Sequence, residues 1–215
     1  CGARLTVSLA RVGGLGFDLP DGWITQARET CKIIMQAKDE IETLASKNRI
    51  FVKRMVGVTA ISGKDAINWG FTGPCLRATG EPFDLRKDQP YGGYENFDFD
   101  IPIGEAGDCY DRYMVRMEEI RQSVRIINQA LDNLPSGDIK SKDKSISLPE
   151  KEDVYGNIEG LMHQFMGVIH DVKPPKGEVY CASEGANGEL GFYIVNLVIY
   201  ILIMPVQQFL LKQIK

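Results

Sequence analysis

The residues able to do chemistry in this sequence are few and scattered. Its two histidines, His163 and His170, lie seven residues apart on a segment of helical periodicity, about two turns along one face. That spacing is not the i,i+4 pair of a helical zinc site, and His163 sits beside an apolar stripe, where a hydrogen-bonded structural role outweighs a ligand role. Five cysteines stand at positions 1, 31, 75, 109 and 181. None shares the CxxC or CxxxxC spacing that places two thiolates on one metal, so a zinc or iron–sulfur site held by this chain alone is not expected. An odd, dispersed set fits a reducing compartment in which thiols pack as small hydrophobes. No GxSxG elbow, P-loop or GxGxxG occurs, and Gly13-Gly14-Leu15-Gly16 does not read as following a strand. Nucleophilic hydrolysis and nucleotide binding therefore lack support.

Clustered charge is what remains. Asp108, Asp111, Glu118 and Glu119 gather with Arg112, Arg116 and Arg121 along the first part of the longest periodic segment. One reading is a capped helix with i,i+3 and i,i+4 ion pairs, in which acids near the N-terminus gain roughly 0.3 to 1 kcal/mol each from the helix dipole. The other is a buried network or interface, because Gly107-Asp108-Cys109-Tyr110-Asp111-Arg112-Tyr113 abuts a glycine-rich loop. On the second reading Arg112 and Glu118 support the network. Over 215 residues, 25 Lys+Arg stand against 29 Asp+Glu, a net charge of −4, and 44% of residues are apolar. This composition excludes disorder, collagen and coiled coil as whole-chain readings. The basic residues form no stripe, so nucleic acid is not an expected partner.

The elements that must position these groups read as mainly helical. Apolar residues at 24, 27, 31, 34, 35, 41 and 44 predict an amphipathic helix from Asp21 to Ala45, with Asp21 as N-cap and Lys32, Lys38, Asp39 and Glu42 mostly on the polar side. Asn48 to Met55 continues the pattern, and Ser62-Gly63-Lys64-Asp65 resembles a capping box ahead of a short helix ending at Gly70. Between Gly70 and Gly107 no 3.6-residue period survives and a long irregular loop is expected, with Asp98 to Pro102 alternating like a short edge strand. From Asp108 to Leu134 the stripe Tyr110, Tyr113, Met114, Met117, Ile120, Val124, Ile127, Leu131 and Leu134 predicts a helix of about 26 residues, close to 40 Å. Residues 136–153 are polar and read as a mobile linker, and Tyr155 to His170 restores a helical period. Two alternating runs around Asn187-Gly188 predict a β-hairpin. The fold class is therefore mainly α with a small β-hairpin, an α+β arrangement.

Both ends look unusual. The chain starts with Cys1 and no signal-peptide pattern follows, so the start is expected to be missing or processed, and lipidation at Cys1 is set aside because patterned sequence follows it directly. From Phe192 to Val206 the chain is almost wholly apolar but contains Asn196 and Pro205 and is rich in β-branched residues.

Several motifs together carry a family resemblance. Asn48-Arg49-Ile50-Phe51, Gly70-Phe71-Thr72-Gly73-Pro74-Cys75-Leu76-Arg77-Ala78-Thr79-Gly80, Asp84-Leu85-Arg86-Lys87, the segment from Gly107 to Tyr113, and Gly188-Glu189-Leu190-Gly191-Phe192-Tyr193 resemble, in order and spacing, the D-type (49-kDa) subunit of respiratory complex I. The resemblance runs from about Gly2 to Ile194. It implies the fold of the nickel–iron hydrogenase large subunit, incomplete at both ends, over residues 1–195. It also implies a place in the quinone-reducing module of NADH:quinone oxidoreductase, peripheral on the cytoplasmic side of a prokaryotic inner membrane. The partners it implies are other complex I subunits, especially the iron–sulfur subunit that holds the terminal cluster and a membrane-embedded subunit of the quinone channel. Quinone and the neighbour's cluster belong to the assembled complex, and no cofactor is expected on this chain alone.

The family's quinone-contacting His and Tyr lie outside the matched segment, so the isolated chain is expected to be inactive. The resemblance implies cluster-proximal positions at Arg4, Thr6 and Arg11. The family commonly has His where Thr6 stands, and a hydroxyl cannot titrate near neutrality as imidazole does. Network or interface candidates are Arg77, Asp108, Asp111, Arg112, Glu118 and His163. Residues 196–215 depart from the family, which continues with a polar turn and a basic strand; a reading-frame shift is the favoured explanation over a membrane helix. A hydrogenase-like large subunit and an inactive truncated scaffold stay open as alternatives. Elemental analysis of the purified chain is expected to find no stoichiometric iron, nickel or zinc, since its cysteines are dispersed and its two histidines have no third ligand nearby in sequence.

Overall fold

The computed structural model describes residues 9–11, 13–143, 146–169, 175–196 and 201–207, the last as backbone. In chain order the elements are β1 (Ala10–Arg11), β2 (Gly14–Leu15), α1 (Trp23–Ile41), α2 (Arg49–Met55), α3 (Gly63–Asn68), α4 (Gly73–Arg77), α5 (Leu85–Asp88), α6 (Cys109–Asp132), α7 (Lys151–Gly156), α8 (Ile158–Ile169), β3 (Gly177–Gly185), β4 (Gly188–Asn196) and β5 (Ile201–Gln207). The chain forms two compact units, one from residues 1–23 with 135–175 and one from 24–134 with 176–215. The α+β reading holds.

In the first unit, β1 and β2 pair antiparallel. Gly13-Gly14 thus does lie beside a strand, although no helix follows it as a dinucleotide fingerprint requires. Residues 139–141, expected as linker, run beside this ribbon: the Leu15 amide donates to the Ile139 carbonyl at 2.9 Å, and the Ser141 amide to the Gly13 carbonyl at 2.8 Å. Asn157 caps α8, its Oδ1 accepting from the Gly160 amide at 2.6 Å. The expected stripe of α8 faces solvent, with Ile158, Leu161, Met162, Phe165 and Ile169 all exposed.

The second unit is organised on α6. Asp108 is its N-cap, with Oδ1 accepting from the Asp111 amide at 2.8 Å, and 24 residues give a helix about 36 Å long. Its buried residues are Val115, Met117, Gln122, Val124, Ile126 and Leu131, so the buried surface is wider than the expected stripe, while Met114, Ile127 and Leu134 are exposed. Phe99, Leu76, Ala78, Leu85, Ala66 and Cys31 complete the core.

Residues 98–100 run extended without joining a sheet. Strand formation needs a partner backbone, and here α6 supplies side-chain amides instead. The Asp98 amide donates to Gln129 Oε1 at 2.9 Å and the Asp100 amide to Gln122 Oε1 at 3.1 Å. Burial of Gln122 follows from that duty. The loop from Gly70 to Gly107 also carries more order than expected, with α4, α5 and a 3₁₀ turn over Tyr94–Asn96.

Helix α1 begins at Trp23, so Asp21 lies outside the capping position, and it passes into a π-helical turn at Glu42–Ser46. Its polar and apolar sides do not divide simply between water and core. Ile24, Ile34, Ile41 and Leu44 are exposed, whereas Lys38, expected on the polar side, is buried with Nζ 2.6 Å from Glu42 Oε1. The pairing one turn apart balances the charge of the ammonium, although Nζ makes no hydrogen bond of normal geometry among the described residues. Asn48 caps α2, accepting from the Ile50 amide at 2.9 Å. Ser62 caps α3 as expected, accepting from the Asp65 amide at 3.2 Å, and Asp65 answers through the Ser62 hydroxyl at 2.7 Å rather than through the Ser62 backbone.

Strands β3 and β4 pair from Gly177 with Asn196 to Gly185 with Gly188, which puts Ala186-Asn187 in the two-residue turn, one position earlier than the Asn-Gly signal suggests. Strand β5 pairs antiparallel with β4, from Asn196 with Ile201 to Leu190 with Gln207. The hairpin tip is fastened to α4 by a close backbone approach. Gly73 has φ of +62°, and a Cβ there would collide with the backbone of Gly188. Beside it, Thr72 Oγ1 accepts from the Glu189 amide at 3.0 Å. Gly73→Ala is expected to destabilise the second unit by about 2 kcal/mol or more, through both a disfavoured φ and a backbone clash. Urea unfolding followed by circular dichroism measures this; an unchanged midpoint would sink the close-approach argument.

Candidate functional site

The end of α4 buries Arg77, whose side chain is only 1% exposed. A guanidinium withdrawn from water needs acceptors around its whole fork, and three separate parts of the second unit supply them. Arg77 Nε and Nη2 donate to Glu119 Oε1 on α6 at 3.0 and 2.5 Å. Nη1 donates to the Phe83 carbonyl at 2.9 Å and to Glu184 Oε1 on β3 at 2.9 Å. Asp84 Oδ2 stands 3.6 Å from Nη1.

Asp84 is itself fully buried and is gripped from its other side. It caps α5, Oδ1 accepting from the Arg86 amide at 2.9 Å and from Arg86 Nε at 3.0 Å, while Oδ2 accepts from Arg86 Nη2 at 2.6 Å. The Arg86 guanidinium lies 4.9 Å from the centre of the Phe99 ring and 5.9 Å from that of Tyr94, so both its edge and its face are used. Tyr91 closes the group, its hydroxyl accepting from the Glu184 amide at 2.8 Å.

The carboxylates respond differently to the same burial. For Asp84 burial pushes the carboxyl up, but the Arg86 side-chain and backbone hydrogen bonds and the charges of Arg86 and Arg77 outweigh it, leaving the group below its ordinary value of 3.8. For Glu184 burial dominates and holds the carboxyl above its ordinary value, with Arg77 and the Leu85 backbone pulling down and Asp84 adding to the rise. Its Oε2 accepts no hydrogen bond of normal geometry among the described residues. The node counts two arginines, Arg77 and Arg86, against three carboxylates, Asp84, Glu119 and Glu184.

A second node surrounds the start of α6. Asp108 Oδ2 accepts from the Gly57 amide at 2.7 Å. Burial raises its carboxyl, yet the amides of Asp111, Gly57 and Tyr110 and the charge of Arg112 bring it below the usual value. Asp111 Oδ2 accepts from the Glu105 and Ala106 amides at 2.8 and 2.6 Å. Arg112 Nη1 donates to the Gly107 carbonyl at 2.6 Å, and both its Nη atoms reach the Thr59 carbonyl. Thr59 has φ of +51°, in the left-handed region a β-branched residue disfavours, and Arg112 ties its carbonyl to α6. These contacts hold loops, and they occupy the charged groups that make them.

Of the expected site residues, Arg77 forms the first node and Asp108, Asp111 and Arg112 the second. Glu118 pairs with Arg121 at 2.7 Å, the ordinary i,i+3 helix pair, and its Oε1 also accepts from Nε2 of the buried Gln122 at 3.1 Å, which joins it to the side chain that holds the Asp100 amide. His163 is half-buried on α8, in the other unit. Arg4 and Thr6 lie outside the described residues, and Arg11 is described as backbone in β1 only. Sequence reasoning does not join Asp84, Arg86, Tyr91, Glu119 and Glu184 into one group with Arg77. The Asp84-x-Arg86 spacing ahead of a short helix is the local signal that could have found two of them. Among the described residues no three His, Cys, Asp or Glu side chains are arranged to hold a metal.

The sequence matches the family described as "Respiratory-chain NADH dehydrogenase, 49 Kd subunit" over residues 1–197. Among curated proteins it is 56% identical over 196 residues to the C/D subunit of NADH-quinone oxidoreductase from Bdellovibrio bacteriovorus, covering 91% of this chain and 35% of that protein. It is 53% identical over 195 residues to the D-type subunit of NADH-quinone oxidoreductase from Myxococcus xanthus, covering 91% and 47%. With the protein of the same name from Pelobacter propionicus identity is 47% over 195 residues, covering 91% and 48%. The chain thus spans less than half the length of these relatives.

Arg77→Met leaves Glu119, Asp84 and Glu184 without their shared cation and is expected to cost about 3 to 5 kcal/mol, the range for breaking a buried pair from one side. Arg77→Lys is expected to recover only part, since an ammonium cannot span the same fork. Urea unfolding at neutral pH measures both, and an Arg77→Met protein as stable as the parent would mean the node is solvated. Asp84 sets a pH dependence of known sign. Its folded value is depressed, so its stabilisation is present above 3.8 and is lost as pH falls through the lower folded value. Asp84→Asn should flatten that acid limb in a series of thermal melts; an unchanged limb would assign the loss to other carboxylates.

Proposed function

The chain belongs to the 49-kDa subunit family of the respiratory-chain NADH dehydrogenase, and from that membership we propose that it acts within the quinone-reducing module of NADH:quinone oxidoreductase. The observation that carries the reading is the match over residues 1–197, which contains the whole Arg77 node. In this reading the second unit is a rigid part of a D-type subunit with the hydrogenase large-subunit fold. Electrons reach quinone from the terminal cluster of a neighbouring iron–sulfur subunit, and this chain contributes structure around that path instead of redox ligands.

The physical arrangement supports a structural share in a larger assembly. Apolar side chains on α1, α2 and α8 and in the turn after α1 stand in solvent, including Ile34, Leu44, Ile50, Ile158 and Phe165. Exposed apolar surface on this scale marks faces that other protein surface covers. We assign those faces to the remainder of a D-type subunit, to the iron–sulfur subunit and to the membrane-embedded quinone-channel subunit. Among the described residues no helix is long and apolar enough to cross a membrane. The peripheral place on the cytoplasmic side of the inner membrane is part of the same proposal and follows from the family reading.

The test is a chimera in which residues 1–195 of this chain replace the matching segment of the D-type subunit from Myxococcus xanthus, in a strain lacking the native copy. The expected outcome is an assembled complex with NADH:quinone reductase activity, and loss of assembly on adding Arg77→Met. Assembly without activity would favour the inactive-scaffold reading. Exclusion of the chimera from the complex would overturn membership of the module.

A further inference from the structure

The Arg77 node opens on one side to a cavity of about 550 Å³. Its wall carries the charged side chains Arg77, Arg86, Arg116, Glu119 and Glu184, with Ser123 among the apolar residues of α6. Glu184 is 3% exposed, and its two oxygens are not equivalent. Oε1 is held by Arg77 at 2.9 Å, and the Leu85 backbone also acts on the carboxyl, whereas Oε2 is shut off from solvent and accepts no hydrogen bond of normal geometry among the described residues. A buried carboxylate oxygen in that state is stabilised either by a donor entering the space beside it or by a proton of its own.

The groups facing Glu184 favour the proton. Arg77 on α4 divides its charge among Glu184, Glu119 on α6 and Asp84 before α5. Arg86 makes its hydrogen bonds to Asp84, and its charge also acts on Glu184. Arg116 on α6 donates to the Arg112 carbonyl at 3.1 Å, and Tyr91 offers Glu184 an acceptor for its amide and no charge. Of the three carboxylates that share Arg77 and Arg86, Glu184 is the one whose spare oxygen is shut off from solvent. We propose that Glu184 is a proton-exchange site, in which Oε1 stays with Arg77 while Oε2 binds or releases a proton according to the charge of whatever enters the cavity. The proposal rests on this geometry and is independent of the quinone-reduction reading.

The linkage has a definite sign. Burial holds the folded Glu184 above the ordinary glutamate value, so the native state keeps this proton at a pH where the unfolded chain has lost it. Its contribution to stability is present at low pH and falls as pH rises through the folded value. An entering cation favours the carboxylate and releases the proton; an entering anion retains it.

The experiment is an infrared pH titration of the chain with ¹³C at its glutamate carboxyls, reading the carbonyl stretch of the un-ionised acid in folded protein. One glutamate is expected to ionise at higher pH than the others, and that late band should vanish in Glu184→Gln. Ser123→Lys places an ammonium on the cavity wall from an exposed position of α6 without touching the node, and should shift the late band to lower pH. Glutamates that all ionise together in the folded parent would overturn the proposal, as would a late band that survives Glu184→Gln. Should Glu184→Gln fail to fold, the Ser123→Lys arm decides, and an unmoved late band there overturns it.

Discussion

A guanidinium taken out of water needs acceptors for its N–H donors and a counter-charge, and in this chain Arg77 gains four hydrogen bonds and its counter-charge by drawing together residues far apart in sequence. Glu119 comes from the long helix, Phe83 and Asp84 from the loop before α5, and Glu184 from the hairpin strand 107 residues away. Each is attached to a different element, so the arginine fixes the mutual placement of α4, α6 and β3 within the second unit. Attraction in a partly dry interior is strong, but desolvating the charges offsets much of it. The value of such a node lies in its selectivity, because any other packing of these elements would strand a buried ion.

The same logic recurs where backbone rather than charge needs partners. Extended residues 98–100 find acceptors in Gln122 and Gln129, which is why a helix otherwise packed by Val115, Met117 and Ile126 keeps amide side chains facing the loop. At the start of α6, Asp108, Asp111 and Arg112 do this for Gly57, Glu105, Ala106 and the Thr59 carbonyl. Irregular chain from residue 98 to residue 107 is thereby held by side chains of one helix, while Thr72, Arg77 and Tyr91 tie the earlier part of the loop to the hairpin.

Local patterns legible in the sequence were those that depend on near neighbours. Three- and four-residue apolar steps marked α1, α6 and α8; Ser62 marked the start of α3; alternation with a glycine turn marked the β3–β4 hairpin. Each of these obeys a rule of 3.6-residue or 2-residue period, or a capping bond spanning three residues, and such rules are written within a single window. The long motifs also carried the family, since a specific order of motifs along nearly 200 residues has little chance of arising otherwise.

Tertiary structure alone decided which charges were buried and with whom. Periodicity puts Lys38 and Lys32 alike on the polar side of α1, yet Lys38 is buried beside Glu42 and Lys32 is exposed. Glu118 and Glu119 are adjacent in sequence, and the turn of the helix sends one to Arg121 and Gln122 and the other to Arg77. Asp84 and Glu184 share a cation but differ in partners, and their carboxyls are displaced in opposite directions. Periodicity assigns a residue to a face of its own element. Only the packing of that face against another element sets its solvent exposure and its counter-charge, and those two quantities determine what an ionisable group can do.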